Sequence, residues 1–247
     1  MSQGKPSVSV IMPVYNEFRT ISDMVSDIIL FNSKKYDLQI IIIESNSTDG
    51  TRDLVKNLEK LEEVTAIYQD RPMGKGSAVR EGIKIANGFV TLIFDGDREY
   101  SAKDIEILVT PILENKINFV LGSRFKIGEP MRSFGKSRIR STILNLVHIG
   151  FAHFFSTIYQ VKLKDPFTMF KVYRSECIKN LNFRENGFAF DVELVAKLIR
   201  NGNKPIEIPI SYVSRGFSEG KKIRFFRDGY ALPIAMLRHR FSNLFNL

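Results

Sequence analysis

Short apolar runs recur along the first half of the chain, separated by stretches in which apolar residues repeat every three to four positions. The runs are rich in β-branched residues, which is typical of strands buried on both faces of a sheet. They lie at residues 8–12, 38–43, 64–68, 89–94 and 118–123. The intervening stretches predict helices at residues 20–31, from 51 to about 61, from about 77 to 86 and around 104–114. This alternation predicts an α/β fold with a mainly parallel sheet and helices on both faces.

The alternation ends after Arg124. Residues 126–140 are rich in Gly, Ser and Arg without periodicity, so we predict a mobile basic loop that closes over a bound anion. Residues 141–161 carry no formally charged side chain but contain too many polar residues for a confident membrane span. We expect an amphipathic helix there, packed on the domain or lying at a membrane surface. A further helix is predicted at residues 189–202 and a strand at 204–210.

The tail from residue 221 to 247 interleaves basic and apolar residues, which predicts a basic helical extension. Such a helix either packs on the domain or contacts lipid, and the sequence leaves both open. The apolar residues suited to lipid are Ile223, Phe225, Phe226, Tyr230, Leu232, Ile234, Met236, Leu237 and Phe241.

Composition and charge narrow the classes of partner. The 247 residues are 44% hydrophobic and 26% charged, an ordinary composition for a globular protein with a sizeable core. The net charge of +9 divides into −4 over residues 1–123 and +13 over residues 124–247. The basic half indicates an anionic partner, either nucleic acid, a phosphorylated substrate or an anionic membrane face. We expect no nucleic acid, because no aromatic-basic recognition motif accompanies the charge.

Two further features concern the compartment. Cys177 is the single cysteine, which excludes an intramolecular disulfide and is more typical of packing than of a nucleophile. The start M-S-Q-G-K-P-S has no apolar signal region, so we expect a cytoplasmic protein.

The acidic cluster Asp95, Asp97 and Glu99 directly follows the predicted strand at residues 89–94. Ligands of open α/β sheets bind at the carboxyl ends of the strands, where this cluster is placed. Three nearby carboxylates repel one another unless a cation lies between them, and hard oxygen ligands suit Mg²⁺ or Mn²⁺. A lone Asp-x-Asp is more often a solvated turn, so the neighbouring loops decide the interpretation.

Five loops with unusual polar groups each follow a predicted strand. They lie at residues 13–17, 44–51, 71–77, 95–99 and 122–124. Since the carboxyl ends of parallel strands lie at one edge of a sheet, we expect these groups to converge. Gly74 and Gly76 are expected to let backbone N–H groups approach a ligand. The G-K-G-S string at residues 74–77 lacks the spacing of a P-loop, which excludes a nucleotide triphosphatase of that kind.

Taken together, these motifs resemble the family-two glycosyltransferases of the GT-A fold. Within them the chain is most similar to polyprenol-phosphate mannosyl- and glucosyltransferases of the dolichyl-phosphate mannose synthase type. The resemblance covers nearly the whole chain. It is carried by P-V-Y-N-E at 13–17, S-T-D-G-T at 47–51, G-K-G-S-A at 74–78, D-G-D at 95–97, G-S-R at 122–124, D-P-F-T-M-F-K-V-Y-R at 165–174, F-A-F-D-V-E-L at 188–194, E-I-P-I-S-Y at 207–212 and R-G-F-S-E-G-K-K at 215–222.

The resemblance implies a role for each matching residue. Donor-binding residues would be Pro13, Tyr15, Glu17, Glu44, Asp49, Lys75, Asp95, Arg124 and Arg138, with Arg71 near the nucleotide or sugar. Metal ligands would be Asp95, Asp97 and Glu99, and catalytic residues Asp97, Asp191, Arg215 and Lys221. The family often has Asp-Asp where this chain has Glu44-Ser45, so the identity of the nucleotide stays open. Asp191 is interpreted as a general base, an acceptor-positioning group or a helix-start cap, and these alternatives also stay open.

The expected protein is a single domain over residues 1–220 with the tail appended. Residues 7–124 would bind the nucleotide sugar, and residues 125–220 would form the acceptor side. The expected reaction is a metal-dependent, inverting transfer of a hexose from a nucleotide diphosphate sugar to a polyprenyl phosphate, at the cytoplasmic membrane face. Two alternatives are transfer to a saccharide hydroxyl in surface-polysaccharide or glycolipid assembly, and a non-catalytic nucleotide-sugar-binding subunit.

Overall fold

The computed structural model describes residues 5–125, 138–214 and 225–241, with the backbone alone for residues 138–140 and 225–231. Seven strands are described, β1 Ser7–Val14, β2 Asp37–Glu44, β3 Val64–Tyr68, β4 Val90–Ile93, β5 Phe119–Ser123, β6 Lys171–Arg174 and β7 Ile206–Pro209. The described helices are α1 Ile21–Asn32, α2 Thr51–Leu58, α3 Lys75–Ile85, α4 Ile105–Leu113, α5 Arg138–Tyr159, α6 Ala189–Arg200 and α7 Phe225–Phe241. Short 3₁₀ turns lie at Ala102–Asp104 and Ser175–Ile178.

The strands form one sheet in the order β3-β2-β1-β4-β6-β5-β7. All neighbouring pairs are parallel except those that β6 makes with β4 and β5, which are antiparallel. Because β4 and β5 are both antiparallel to β6, they run in the same direction. The mainly parallel sheet expected from the sequence is therefore confirmed, with one reversed strand, β6, between β4 and β5.

Helices cover both faces of the sheet, as predicted. Alternate residues of each strand point to opposite faces, and the successive isoleucines of β2 divide between two buried cores. One core contains Ile40 and Ile42 and lies under α1, α2 and α4. The other contains Ile41 and Ile43 and lies under α3, α5, α6 and α7.

Two strands differ from the sequence prediction. β1 was expected to end before Pro13 but continues to Val14, in register with β2. Ile11 accepts a hydrogen bond from Phe94 N, and pairing with β4 stops there. The backbone groups of Pro13 face the same side as those of Ile11, toward β4. Because β4 no longer pairs with β1 at this point, the missing N–H of Pro13 leaves no hydrogen bond of the sheet unmade. β6 was not predicted as a strand at all.

The C-terminal helix α7 packs on the domain through one of its faces. Ala235 and Met236 are buried, and the Met236 carbonyl accepts a hydrogen bond from Tyr159 Oη of α5 at 2.8 Å. The expectation that Met236 faces lipid is therefore wrong. Ile234 and Leu237 on the same helix are 56% and 43% exposed, which leaves an apolar outer side.

Several predictions fall on parts of the chain outside the described residues. These are residues 126–137 of the lid predicted over residues 126–140, and the candidate catalytic residues Arg215 and Lys221. Arg138 is the first residue of α5, but its side chain is not described.

Candidate active site

The loops that follow β1 to β5 open at one edge of the sheet, because these five strands run in the same direction. The first two loops are joined by hydrogen bonds. Asn16 N donates to Ser47 Oγ at 2.9 Å, and Asn16 Oδ1 accepts from Thr48 N at 2.8 Å. Glu17 N donates to Thr51 Oγ1 at 2.9 Å. The convergence predicted from the sequence is confirmed for these loops.

Glu44 ends β2 and is fully buried. Its carboxylate accepts hydrogen bonds from Ser47 N at 2.7 Å and Asn46 N at 3.3 Å, and Arg52 Nε lies 3.5 Å away. These bonds hold the loop after β2 in its turn. In the structure Glu44 thus stabilises the loop after β2, and its predicted contact with the donor stays a prediction.

Asp49 braces the same loop from its other end. Its carboxylate accepts hydrogen bonds from Thr51 N at 3.0 Å and Phe18 N at 3.1 Å. Burial raises the pKa of Asp49, but the hydrogen bonds from Thr51 and Phe18 outweigh burial and lower this pKa below its ordinary value. The predicted pocket residues beside this loop are partly exposed, namely Pro13, Tyr15 and Glu17.

Lys75 and Asp95 connect the loop after β3 to the loop after β4. Lys75 Nζ lies 2.5 Å and 2.7 Å from the two carboxylate oxygens of Asp95, and the side chains are 16% and 17% exposed. Lys75 is the first residue of α3, and Asp95 follows the buried end of β4. Two residues that the resemblance assigned to the donor site are therefore in direct contact.

The glycines beside Lys75 have a packing role, and the predicted approach of a ligand to their N–H groups stays a prediction. Gly74 has φ +95°, a conformation that favours glycine, and a Cβ on Gly76 would lie 2.4 Å from the carbonyl oxygen of Glu185. Ser77 N donates to the Asn186 carbonyl at 3.2 Å. The glycines thus let the start of α3 pack against residues 185–187 of the same chain, which fixes the backbone of Lys75.

The acidic turn after β4 is held by its own backbone and by the segment after β7. Asp97 Oδ1 accepts a hydrogen bond from Glu99 N at 3.0 Å. Glu99 Oε2 accepts from Tyr212 Oη at 3.0 Å, and the Glu99 carbonyl accepts from Val213 N at 3.0 Å. The metal role predicted for Glu99 stays a prediction.

The acidic turn also fits a divalent ion by the chemistry of its donors. Asp95 and Asp97 offer hard carboxylate oxygens on either side of Gly96. The described parts of the chain contain no cluster of three or more His, Cys, Asp or Glu side chains that could bind a metal ion by itself. Mg²⁺ commonly binds through one or two carboxylates and completes its shell with substrate phosphates and water. Two carboxylates therefore suit a site that the donor completes.

Arg124, predicted for the donor diphosphate, forms a buried ion pair. Its Nε and Nη2 donate to Asp165 at 2.8 Å and 2.7 Å, and its backbone N donates at 2.9 Å. Burial alone would raise the pKa of Asp165, but the Arg124 guanidinium outweighs burial and holds it well below its ordinary value. His148 Nε2 lies 3.2 Å from Asp165 Oδ1. The guanidinium is thus committed to a partner that the sequence analysis did not assign.

Asp191 lies in the first turn of α6 and is almost fully buried. Its Oδ1 accepts a hydrogen bond from Lys171 Nζ at 2.8 Å, and Lys171 also donates to the Thr168 carbonyl. Burial lowers the pKa of Lys171, and Asp191 opposes this lowering only in part. The N-cap of α6 is Phe188, so Asp191 is not the helix-start cap, whereas a general base and an acceptor-positioning group both stay open.

Three residues of this region were missed by the sequence analysis, namely Asp165, Lys171 and Tyr212. All three lie within motifs that carried the resemblance, D-P-F-T-M-F-K-V-Y-R and E-I-P-I-S-Y. The signal was therefore present, but the pattern did not name their partners. Arg71 lies in the loop after β3 and is exposed.

Comparison with known proteins adds the family and its relatives. The model of the family described as glycosyl transferase family 2 matches residues 9–181. Glycosyltransferase AglJ of Haloferax volcanii is 26% identical over 96% of this chain and 73% of its own length. A dolichyl-phosphate beta-glucosyltransferase of Dictyostelium discoideum is 29% identical over 97% of this chain and 76% of its own length.

Solved structures show the same fold. Glucosyl-3-phosphoglycerate synthase from Mycobacterium tuberculosis, in complex with Mg²⁺ and UDP, has a TM-score of 0.69 to this chain at 18% identity. The match covers 96% of this chain and 80% of that one. This likeness and the mixed seven-stranded sheet confirm the GT-A fold expected from the sequence.

Proposed function

The chain belongs to glycosyl transferase family 2, and we propose that it transfers a hexose from a nucleotide diphosphate sugar to a polyprenyl phosphate. It is a glycosyltransferase that uses a nucleotide-sugar donor. We further propose that the acceptor is a polyprenyl phosphate, that the reaction requires a divalent ion, and that it inverts the configuration at the sugar carbon. The dolichyl-phosphate beta-glucosyltransferase, similar over nearly the whole chain, supports the choice of acceptor.

The observation that carries the proposal is the arrangement at the carboxyl edge of the sheet. Asp95 and Asp97 sit on the turn after β4, and Lys75 reaches the same turn from the start of α3. Acidic and basic groups from different loops thus face one place, and in the proposed function the donor diphosphate binds there.

The residues have distinct roles in the proposed reaction. Asp95 and Asp97 would hold Mg²⁺ or Mn²⁺, and the bound ion would stabilise the charge that develops on the leaving diphosphate. An acceptor phosphate oxygen forms the new bond to the sugar carbon from the side opposite the breaking carbon–oxygen bond. Because a phosphate arrives already ionised, this attack needs no general base. In this reaction Asp191 is a positioning group.

A polyprenyl acceptor lies in a membrane, and the outer side of α5 is suited to approach one. Ile143, Leu146 and Ile149 are 50%, 62% and 50% exposed. By length and composition Ser141–Tyr159 is the one helix in the described parts able to cross a membrane, and 22% of it is buried. We propose that α5 lies at the membrane surface, beside the exposed side of α7, with its opposite side packed on the domain.

Turnover with defined substrates tests the proposal. The protein is incubated with a panel of nucleotide sugars, Mg²⁺ or Mn²⁺, and either a short polyprenyl phosphate or soluble saccharides. We expect a sugar-phosphate-polyprenyl product that depends on added divalent ion. Preference for a saccharide hydroxyl would favour the alternative acceptor, and donor binding without transfer would favour a non-catalytic subunit.

A further inference from the structure

The contact between Lys75 and Asp95 has a role of its own. We propose that Lys75 is the counter-ion that occupies Asp95 until the donor diphosphate draws it away, so that donor and divalent ion bind cooperatively. This inference rests on the proposed function for the metal and the donor. It predicts that the protein alone binds the ion weakly.

The ion pair with Lys75 occupies the Asp95 carboxylate, which is the proposed ligand of the metal. Lys75 Nζ lies within hydrogen-bond distance of both oxygens of Asp95, at 2.5 Å and 2.7 Å. A divalent ion bound to either Asp95 oxygen would therefore lie close to the positive ammonium group, and the repulsion between the two charges opposes its binding. The side chains are only 16% and 17% exposed, so water screens the pair less than it would a surface pair.

Both backbones are fixed, but the lysine side chain is long enough to move. Phe94, next to Asp95, donates its N–H to the Ile11 carbonyl at 2.9 Å, which ties Asp95 to the sheet. The Lys75 backbone is held by the packing of Gly74 and Gly76 on residues 185–187. Its ammonium group is carried on a flexible four-carbon stem, so it can change partner without any movement of α3.

Two neighbouring ion pairs offer the ammonium group of Lys75 no free carboxylate if it leaves Asp95. Lys171 is close enough to interact electrostatically with Lys75, and Arg124 lies in the same neighbourhood. Both of these cations already pair with a carboxylate, Lys171 with Asp191 and Arg124 with Asp165. An ion on Asp95 alone would thus displace Lys75 without offering it a free carboxylate from either of these pairs. A diphosphate supplies the missing anion, and this makes the two binding events favour each other.

The test measures Mn²⁺ affinity of the full chain from the electron paramagnetic resonance signal of free Mn²⁺, without nucleotide and with saturating UDP or GDP. We expect Lys75→Met to bind Mn²⁺ alone about tenfold more tightly than the parent, which corresponds to about 1.4 kcal/mol. The enhancement of Mn²⁺ binding by nucleotide should shrink by the same factor. Lys75→Arg, which keeps the cation, should behave like the parent.

Lys84→Met is the matched control, because Lys84 is an exposed lysine on the same helix. It removes the same charge outside the contact with Asp95 and should leave Mn²⁺ affinity unchanged. Equal Mn²⁺ affinity of the parent and Lys75→Met, or an equal gain in Lys84→Met, would overturn the inference. Either result leaves the proposed function intact if turnover still requires divalent ion. Absence of Mn²⁺ binding in every variant, with nucleotide present, would overturn the metal assignment as well.

Discussion

Replacing Asp165 by Asn should destabilise the fold by about 3–5 kcal/mol, the usual cost of breaking a buried ion pair from one side. Asp165 is fully buried, and the Arg124 side chain is 7% exposed. Arg124 donates three hydrogen bonds to the carboxylate, through its backbone N, Nε and Nη2. The variant leaves the guanidinium buried without its counter-charge, and water cannot replace the lost partner.

Urea unfolding at pH 7, followed by circular dichroism, measures this loss. Asp53→Asn is the matched control, since it makes the same chemical change in an exposed ion pair. Asp53 lies 2.9 Å from Lys56, and the two side chains are 80% and 58% exposed. We expect the control to change the free energy of unfolding by at most about 0.5 kcal/mol. A loss below about 1 kcal/mol in Asp165→Asn would refute the view that this pair is closed to water.

The pH dependence of the free energy of unfolding gives a second test of this ion pair, because the lowered pKa of Asp165 fixes its direction. The pKa of Asp165 is lowered in the folded protein, so its stabilising contribution is present above the ordinary aspartate pKa of about 3.9. That contribution is lost as the pH falls from there toward the lower folded-state pKa. The difference between parent and Asp165→Asn should therefore shrink as the pH falls below about 4. A difference that grows as the pH falls below about 4 would contradict this assignment.

Further variants test other parts of the site. Asp97→Asn should abolish turnover and leave the circular dichroism spectrum unchanged, and full activity of this variant without divalent ion would remove its metal role. Tyr212→Phe removes the 3.0 Å hydrogen bond to Glu99 and should lower the free energy of unfolding by about 1 kcal/mol, measured in urea; no change would mean that the bond does not hold the acidic turn. Leu146→Glu should reduce cosedimentation with anionic vesicles, whereas Leu30→Glu, at an exposed position of α1, should not. Equal effects of these two would argue against α5 as the membrane contact.

The parallel part of the fold could be predicted because each strand has a local signal. The isoleucines of β2 and the apolar run of β4 specify strands buried on both faces, whatever their neighbours. β6 gives no such signal, since it begins with Lys171 and ends with Arg174 and has only Val172 and Tyr173 between them. That lysine is tolerated in the sheet because Asp191, 20 residues away, neutralises it. A strand that depends on a distant partner cannot be recognised from local periodicity.

The site was predicted as a set of residues but not as a set of contacts. The sequence located Asp95 and Lys75 on two loops, and the sheet topology then brought them together. It could not show that Arg124 is paired with Asp165, because 41 residues separate the two. Motifs identify the residues gathered at a site, whereas only the tertiary structure shows which of their charges are already neutralised.

The charge balance of the described site favours a catalytic metal and basic residues supplied from elsewhere in the chain. Lys75, Arg124 and Lys171 each already pair with a carboxylate, so these three cations have little charge to spare for a diphosphate. A sugar donor and a phosphate acceptor together bring several negative charges, which must be balanced for the two to approach each other. In the proposed reaction a divalent ion would supply part of that balance and would free Lys75 for the donor. The rest is expected from Arg138, Arg215 and Lys221, candidates in the half of the chain that carries the +13 excess. A phosphate acceptor makes use of that excess, whereas a neutral saccharide hydroxyl gives it no partner.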